Sequence, residues 1–175
     1  KELIFLGSRA SVDQALSRLA KRGLLLRVGR GLYACPVETR FGTRAPNTER
    51  VLNDIAARTG ETLAPSGAVT ANQLGLTTQN PVGLVYWTSG KSRELNVGQQ
   101  RLLLQHAPTW QLRAPNSLSG QALRALAWLG EEVSESHVGA LRAQLNTEEL
   151  AELARFGSQG PHWLARTVGA LAAHA

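Results

Sequence analysis

The sequence predicts an α+β fold in two parts, and three features predict it. An amphipathic helix beginning near Ser8 runs directly into a short hairpin, β-prone runs separated by turn residues occupy 82–106, and four helical stretches follow between Ser119 and Ala172. With 175 residues, 43% hydrophobic and 18% charged, the chain can bury one good core or two modest ones and has the composition of a folded protein.

The first helix is defined by spacing. Val12, Ala15, Leu16 and Leu19 recur at i, i+3, i+4 and i+7, which puts them on one side of a 3.6-residue period and marks them as an expected core face. Ala10, Gln14, Ser17, Arg18 and Lys21 fall on the other side. Ser8 or Ser11 can start the helix by accepting from a free N–H of its first turn, and Ser11 with Gln14 has the spacing of a capping box. Gly23 ends it. The outer row consists of small, amide, hydroxyl and cationic side chains, with Asp13 the one acid, and such residues can approach base edges in a major groove.

Two β-prone runs follow at once, Leu24 to Val28 and Leu32 to Cys35, joined through Gly29-Arg30-Gly31. Either glycine can supply the positive φ of a tight turn, and Arg30 is carried to its tip. An arginine on a narrow ribbon can enter a minor groove or hold a phosphate; the plainer alternative is a solvated turn with an incidental arginine. A helix followed by a basic hairpin is the order of a winged helix-turn-helix. Lys1 to Phe5 reads as the tail of a preceding helix, so the expected domain is a partial one whose first helix is missing.

Charge divides the chain at the same place. Residues 1–44 hold nine lysines and arginines against three acids, whereas the other 131 residues hold ten of each, so the whole net charge of +6 lies with the helix and hairpin. That concentration is the electrostatic footprint expected where a protein meets a phosphate backbone. The turn-rich stretch Glu38 to Asn47 is read as the boundary, giving domains of 1–44 and 45–175.

The second part begins with a helix that Thr48 can cap and that runs through Arg58, with Val51, Leu52 and Ile55 inward and Gly60 at its end. Ser66 caps a short helix that precedes Gly75 and buries Val69 and Leu74. Val82 to Thr88 reads as a strand, Ser89-Gly90-Lys91 as a turn, and Glu94 to Val97 with Arg101 to His106 as a hairpin across Gly98-Gln99, giving three or four antiparallel strands. Helices are expected at Ser119 to Leu129, stopped by Gly130, then at Ser136 to Leu145, Thr147 to Phe156 and Pro161 to Ala172.

No catalytic pattern emerges. His106, His137, His162 and His174 are scattered without metal-ligand spacing, and Pro65-Ser66-Gly67 lacks the Gly-x-Ser-x-Gly surroundings of an activated serine. There is no phosphate-binding Gly-Lys-Ser/Thr loop. Glu131, Glu132 and Glu135 sit at helix starts, where acids balance the dipole. Trp87, Trp110, Trp128 and Trp163 are expected as core or interface anchors. The single cysteine, Cys35, excludes an internal disulfide, reads as a small apolar residue at a strand end and fits a reducing cytoplasm. No apolar run approaches the roughly 20 residues that span a bilayer, and no signal peptide is visible. The expectation is a cytoplasmic protein that is not an enzyme and needs no cofactor or metal.

These segments resemble the AbiEi-type antitoxins of bacterial toxin-antitoxin systems. LGSRASVDQALSRLAKRGLLLRVGRGLY is similar to that family's helix and wing, and PSGAVTANQLGLTTQNP followed by VYWTSGKSR is similar to the opening of its second domain. The resemblance implies a sequence-specific autorepressor that binds inverted repeats in double-stranded operator DNA through its N-terminal domain. It also implies a C-terminal domain that counters a nucleotidyltransferase-like toxin. Within this reading Gln14, Ser17 and Arg18 are expected to make groove contacts. Ser8, Arg9, Ser11 and Lys21 would hold phosphates or register, and Arg27 and Arg30 would belong to the wing. Paired half-sites would call for a homodimer or two monomers on one repeat. Two alternatives stand beside it: a protein- or RNA-binding winged-helix module, and a metal-dependent nucleic-acid-processing enzyme using Glu131 and Glu132.

Overall fold

The computed structural model describes residues 4–81 and 83–173. The fold is mixed, with seven α-helices and eight short strands among the described residues, and the chain divides into two compact units. One comprises Lys1–Gly60 with Glu94–Leu102, and the other Glu61–Arg93 with Leu103–Ala175. The boundary read after residue 44 is therefore displaced: the first unit reaches Gly60 and takes in a distant hairpin tip. Charge follows this division. The first unit carries twelve bases and six acids, and the second seven of each, so the excess of +6 remains on one unit.

In the first unit, a 3₁₀ turn at Ile4–Leu6 precedes helix α1 (Arg9–Lys21). Ser8 is its N-cap, its hydroxyl accepting from the Ser11 amide at 3.2 Å, so Ser11 lies inside the first turn and does not form a capping box with Gln14. At the other end Gly23, at φ +76°, closes a Schellman motif in which Leu24 N–H donates to Leu19 O and Gly23 N–H to Ala20 O. The expected core face is not buried. No residue of α1 is buried: Ala15 is exposed, and Val12, Leu16 and Leu19 are half-buried. The physical reason is a shortage of partners, since the helix packs chiefly on the Ile4–Leu6 turn, whose Phe5 and Leu6 are themselves exposed.

Strands β1 (Leu26–Gly29) and β2 (Leu32–Ala34) pair antiparallel with Arg27 opposite Tyr33 and Gly29 opposite Leu32. Gly31 takes the positive φ of the turn, +69°. Gly29 serves another need: a Cβ there would lie 3.1 Å from the Leu95 side chain. The stretch taken as a linker forms a second hairpin, β3 (Val37–Thr39) with β4 (Gly42–Arg44), Val37 facing Arg44 and Thr39 facing Gly42. Helix α2 (Thr48–Thr59) starts at Asn47, one residue before the expected cap, with Asn47 Oδ1 accepting from Glu49 N–H at 2.7 Å. Val51, Leu52 and Ile55 are buried as its spacing requires, and Gly60 ends it at φ +72°.

The second unit opens with β5 (Leu63–Pro65), a strand not foreseen in the sequence, and the short helix α3 (Gly67–Gln73), in which Leu74 at its end is buried and Val69 half-buried. With β6 (Leu84–Thr88), β7 (Arg93–Val97) and β8 (Gln100–His106), β5 is part of a sheet of order β5-β6-β8-β7; the Glu94–Leu102 end of the β7–β8 hairpin, with Gly98 at φ +63° in its turn, is the segment counted with the first unit. Val82, taken as the start of β6, lies outside the described residues. The helices α4 (Leu118–Leu129), α5 (Glu135–Arg142), α6 (Thr147–Gly157) and α7 (His162–Ala172) match the four helical stretches to within a few residues.

Their core gathers Ala71, Leu123, Leu126, Leu141, Leu153 and Leu164, with Trp110 and Trp163 packed on it. α3 lies so close to α4 that a Cβ on Gly67 would sit 2.5 Å from both the Arg124 carbonyl oxygen and Trp128 Cβ. Within α4 the Arg124 side chain is fully buried. Nη2 donates to Pro115 O at 2.7 Å, while Nε and Nη1 find no acceptor among the described residues, and loss of hydration pushes the guanidinium well below its ordinary range, to about 10.

Two stability outcomes follow from this packing. Gly67→Ala is expected to cost at least about 2 kcal/mol in urea unfolding, because the methyl group meets backbone and not a flexible side chain; an unchanged midpoint would contradict the close approach. Arg124→Met is expected to match or exceed the wild type at neutral pH, by up to about 3 kcal/mol, since it removes a poorly compensated buried charge. Above about pH 10 the unfolded chain holds this proton more tightly than the folded one, so wild-type stability should rise relative to Arg124→Met as the pH is raised beyond that value.

Candidate functional site

The nine residues expected to contact nucleic acid all lie in the first unit, and none is buried. Ser8, Arg9, Ser11, Gln14, Arg18, Lys21, Arg27 and Arg30 are exposed, and Ser17 is half-buried. On α1 the helical period sorts them further. Ser11, Gln14, Arg18 and Lys21, spaced by three or four residues, form one stripe, and Arg22 falls beside it. Arg18 Nη2 reaches Gln14 Oε1 at 3.4 Å, a long contact that leaves both groups available to another partner. Ser8 and Ser11 are joined hydroxyl to hydroxyl at 2.8 Å. Arg9 does not belong to this stripe: nine residues before Arg18 is about two and a half turns, which puts it on the opposite side of the helix.

The hairpin residues are held differently. Arg27 is exposed on β1 beside the buried Val28, following the alternation of a strand with one covered face. Arg30 stands at the turn and is exposed. Among the described residues none of Arg9, Arg18, Lys21, Arg22, Arg27 and Arg30 forms an ion pair with a carboxylate. In the same unit Arg101 does, donating to Glu94 from both Nε and Nη2 and holding that carboxyl below its usual range, first through the hydrogen bond and then through its charge. The cations of α1 and β1–β2 therefore stand uncompensated, while a charge elsewhere in the unit is neutralised locally.

Two features were not anticipated. The tip of the β3–β4 hairpin presents Arg40 and Phe41, with Arg44 at the far end of β4, all exposed; the threonines flanking Arg-Phe-Gly are the sequence signal that could have revealed a ribbon there. The second is a groove of about 590 Å³ beside β2 and α2, walled by Val28, Leu32, Tyr33, Pro36, Val51 and Ile55 and bordered by exposed Arg50 and Asp54. Cys35, directly after the last residue of β2, lines it and is exposed.

Ser66 is buried at the start of α3, and His137 Nδ1 accepts from Ser134 N–H in a capping box. His106 Nδ1 contacts Gly90 O at 2.8 Å, His162 is exposed at the start of α7, and His174 lies outside the described residues. Glu131, Glu132 and Glu135 are exposed in the first turns of short helices, and among the described residues no group of His, Cys, Asp and Glu is arranged to hold a metal ion. No helix of the described residues is long and apolar enough to cross a membrane.

This is an α+β chain with a neutral, helix-rich unit and a cationic unit of exposed helix and hairpins. Residues 1–153 match the DUF6088 family, a family of unknown function, and the chain belongs to it. No curated protein and no solved structure matches the chain.

Proposed function

We propose that this protein binds double-stranded DNA through its first unit and represses transcription by doing so. The observation that carries the reading is the exposed stripe Ser11, Gln14, Arg18 and Lys21, followed at once by a hairpin with Arg30 at its tip, all without carboxylate partners among the described residues. A cationic rod and ribbon confined to one unit of a two-unit chain suits a polyanion better than it suits general solubility, for which charge would be dispersed. The stripe also carries amide and hydroxyl groups, which can pair with base edges and so give sequence preference beyond electrostatic attraction. Ser17 and Arg9 contribute less in this arrangement, one half-buried and the other on the far side of the helix.

The antitoxin role extends this reading. It rests on the likeness of the helix-and-hairpin and of the Pro65–Arg93 stretch to AbiEi-type antitoxins, and assigns the neutral unit to opposing a nucleotidyltransferase-like toxin. The operator would be an inverted repeat read by two copies of the chain.

Binding to a duplex from the region upstream of the chain's own gene, titrated over several salt concentrations, tests the reading. Arg30→Ala should weaken binding on most sequences and lower the salt slope by about one; unchanged affinity and slope would remove the hairpin from the interface. Gln14→Ala should relax preference at about one base position at a cost of roughly 1 to 3 kcal/mol. A loss of equal size on every sequence would contradict a base-reading role for Gln14.

A further inference from the structure

We infer that the β3–β4 hairpin is a wedge that inserts Phe41 between base pairs of duplex DNA from the minor-groove side, with Arg40 and Arg44 on the flanking phosphates. This deepens the DNA-binding reading and rests on it.

Phe41 is 70% exposed at the tip of the ribbon, so its ring is open to a partner and lies within reach of two arginines. The tip is also fixed in shape. Thr39 Oγ1 donates to Gly42 O at 2.7 Å and accepts from Phe41 N–H at 3.2 Å, so one hydroxyl ties both ends of the turn. Gly42 lies at φ +99°, which a side-chain-bearing residue would adopt only with strain. The ring is thus displayed on a closed turn and not on a loose loop.

Its surroundings select the ligand. The Arg40 guanidinium carbon lies 4.7 Å and that of Arg44 5.7 Å from the ring centroid, placing two cations on one exposed aromatic. The arm's one acid, Glu38, accepts from Thr43 Oγ1 at 2.8 Å across the strands, and neither arginine pairs with a carboxylate among the described residues. Two like charges held together on an apolar ring call for anions on either side of a stackable surface. A base step with its adjoining phosphates has that form, and apolar side chains entering from the minor groove unstack and kink the duplex. The arm belongs to the unit that carries the net charge of the chain, which favours a polyanion over an acidic peptide or a lipid headgroup.

The test uses the full chain and the upstream duplex, with 2-aminopurine placed at successive steps and fluorophores on the two ends. The wild type should brighten 2-aminopurine at one or a few steps and shorten the end-to-end distance. Phe41→Ala should abolish both signals and weaken binding about tenfold, while leaving the salt slope unchanged. Phe41→Leu, an alternative wedge, should keep much of the bend. Arg40→Gln and Arg44→Gln should each lower the salt slope by about one. Binding by the wild type without any 2-aminopurine or distance change, or a Phe41→Ala protein indistinguishable from wild type, would overturn the wedge and leave the DNA-binding reading standing. A wild-type chain that binds no duplex even at low salt would overturn both, and capture by anionic vesicles or acidic peptides in that case would reassign the arm.

Discussion

The second unit is organised by how closely its backbones approach α4. Seven consecutive or near-consecutive residues of this helix, from Ser119 to Leu126, are buried, so every neighbour must come in over a surface with little room. Gly67 permits it on one side, where any side chain would strike the Arg124 carbonyl and Trp128. Gly120 permits it at the helix start, where a Cβ would meet the Ala114 and Arg113 carbonyl oxygens. Gly157 repeats the device between α6 and α7, against Val168. Interiors packed to this density respond to a single added methyl group. The cost of such a core is visible in Arg124, enclosed with two of its three nitrogens lacking acceptors among the described residues.

The first unit is built on the opposite plan. Its longest helix buries nothing, its β1–β2 and β3–β4 hairpins have exposed tips, and its buried side chains include Val28, Val51, Leu52, Ile55, Leu95 and Val97. Small apolar areas stabilise weakly, at roughly 25 cal/mol per Å² removed from water. A unit of this kind gives up compactness and presents surface, and the surface it presents is cationic. The neutral unit holds as many acids as bases, so the excess positive charge is left on the exposed elements. Under the proposed function, stability and recognition would be divided between the two units, each with a composition suited to its task.

Much of this was legible from residue order, for reasons that differ by element. The helices of the second unit were readable because apolar periodicity, caps and stops agree: Gly130 at φ +67° ends α4, and Asn146 with Glu149 makes the capping box that begins α6. The stripe on α1 was readable because the period of a helix does not depend on its neighbours. Whether its apolar side is covered does depend on them, and there the expectation of a core face failed. β5 was missed because three residues around a proline carry little local signal and are held by pairing with β6, Ala64 opposite Trp87. β3–β4 was missed because Gly, Pro and Asn nearby are turn formers, and a short ribbon between turns looks the same as a linker. The displaced boundary has a related cause. Gly29, read as a turn residue, instead clears space for Leu95 from far along the chain, and Thr48 donates to Gln100 at 2.7 Å. Such contacts have no footprint in local patterning.

The two hairpins of the first unit pose a question of division of labour. The tip of β1–β2 carries a lone arginine beside a glycine, with no apolar group, and so offers charge alone. The tip of β3–β4 carries a ring approached by Arg40 from the turn and by Arg44 from the strand, and a turn tied by one threonine. A point charge on a ribbon positions a protein on a phosphate backbone without altering the duplex, whereas an apolar wedge must unstack a step, at a cost that depends on the sequence being deformed. Under the proposed DNA-binding function, with the stripe on α1 supplying amide and hydroxyl groups for base edges, the unit would combine three separable modes: orientation by charge, direct reading by hydrogen bonds, and indirect reading through deformation. The last would let the protein discriminate among sequences at positions that its hydrogen-bonding side chains do not touch.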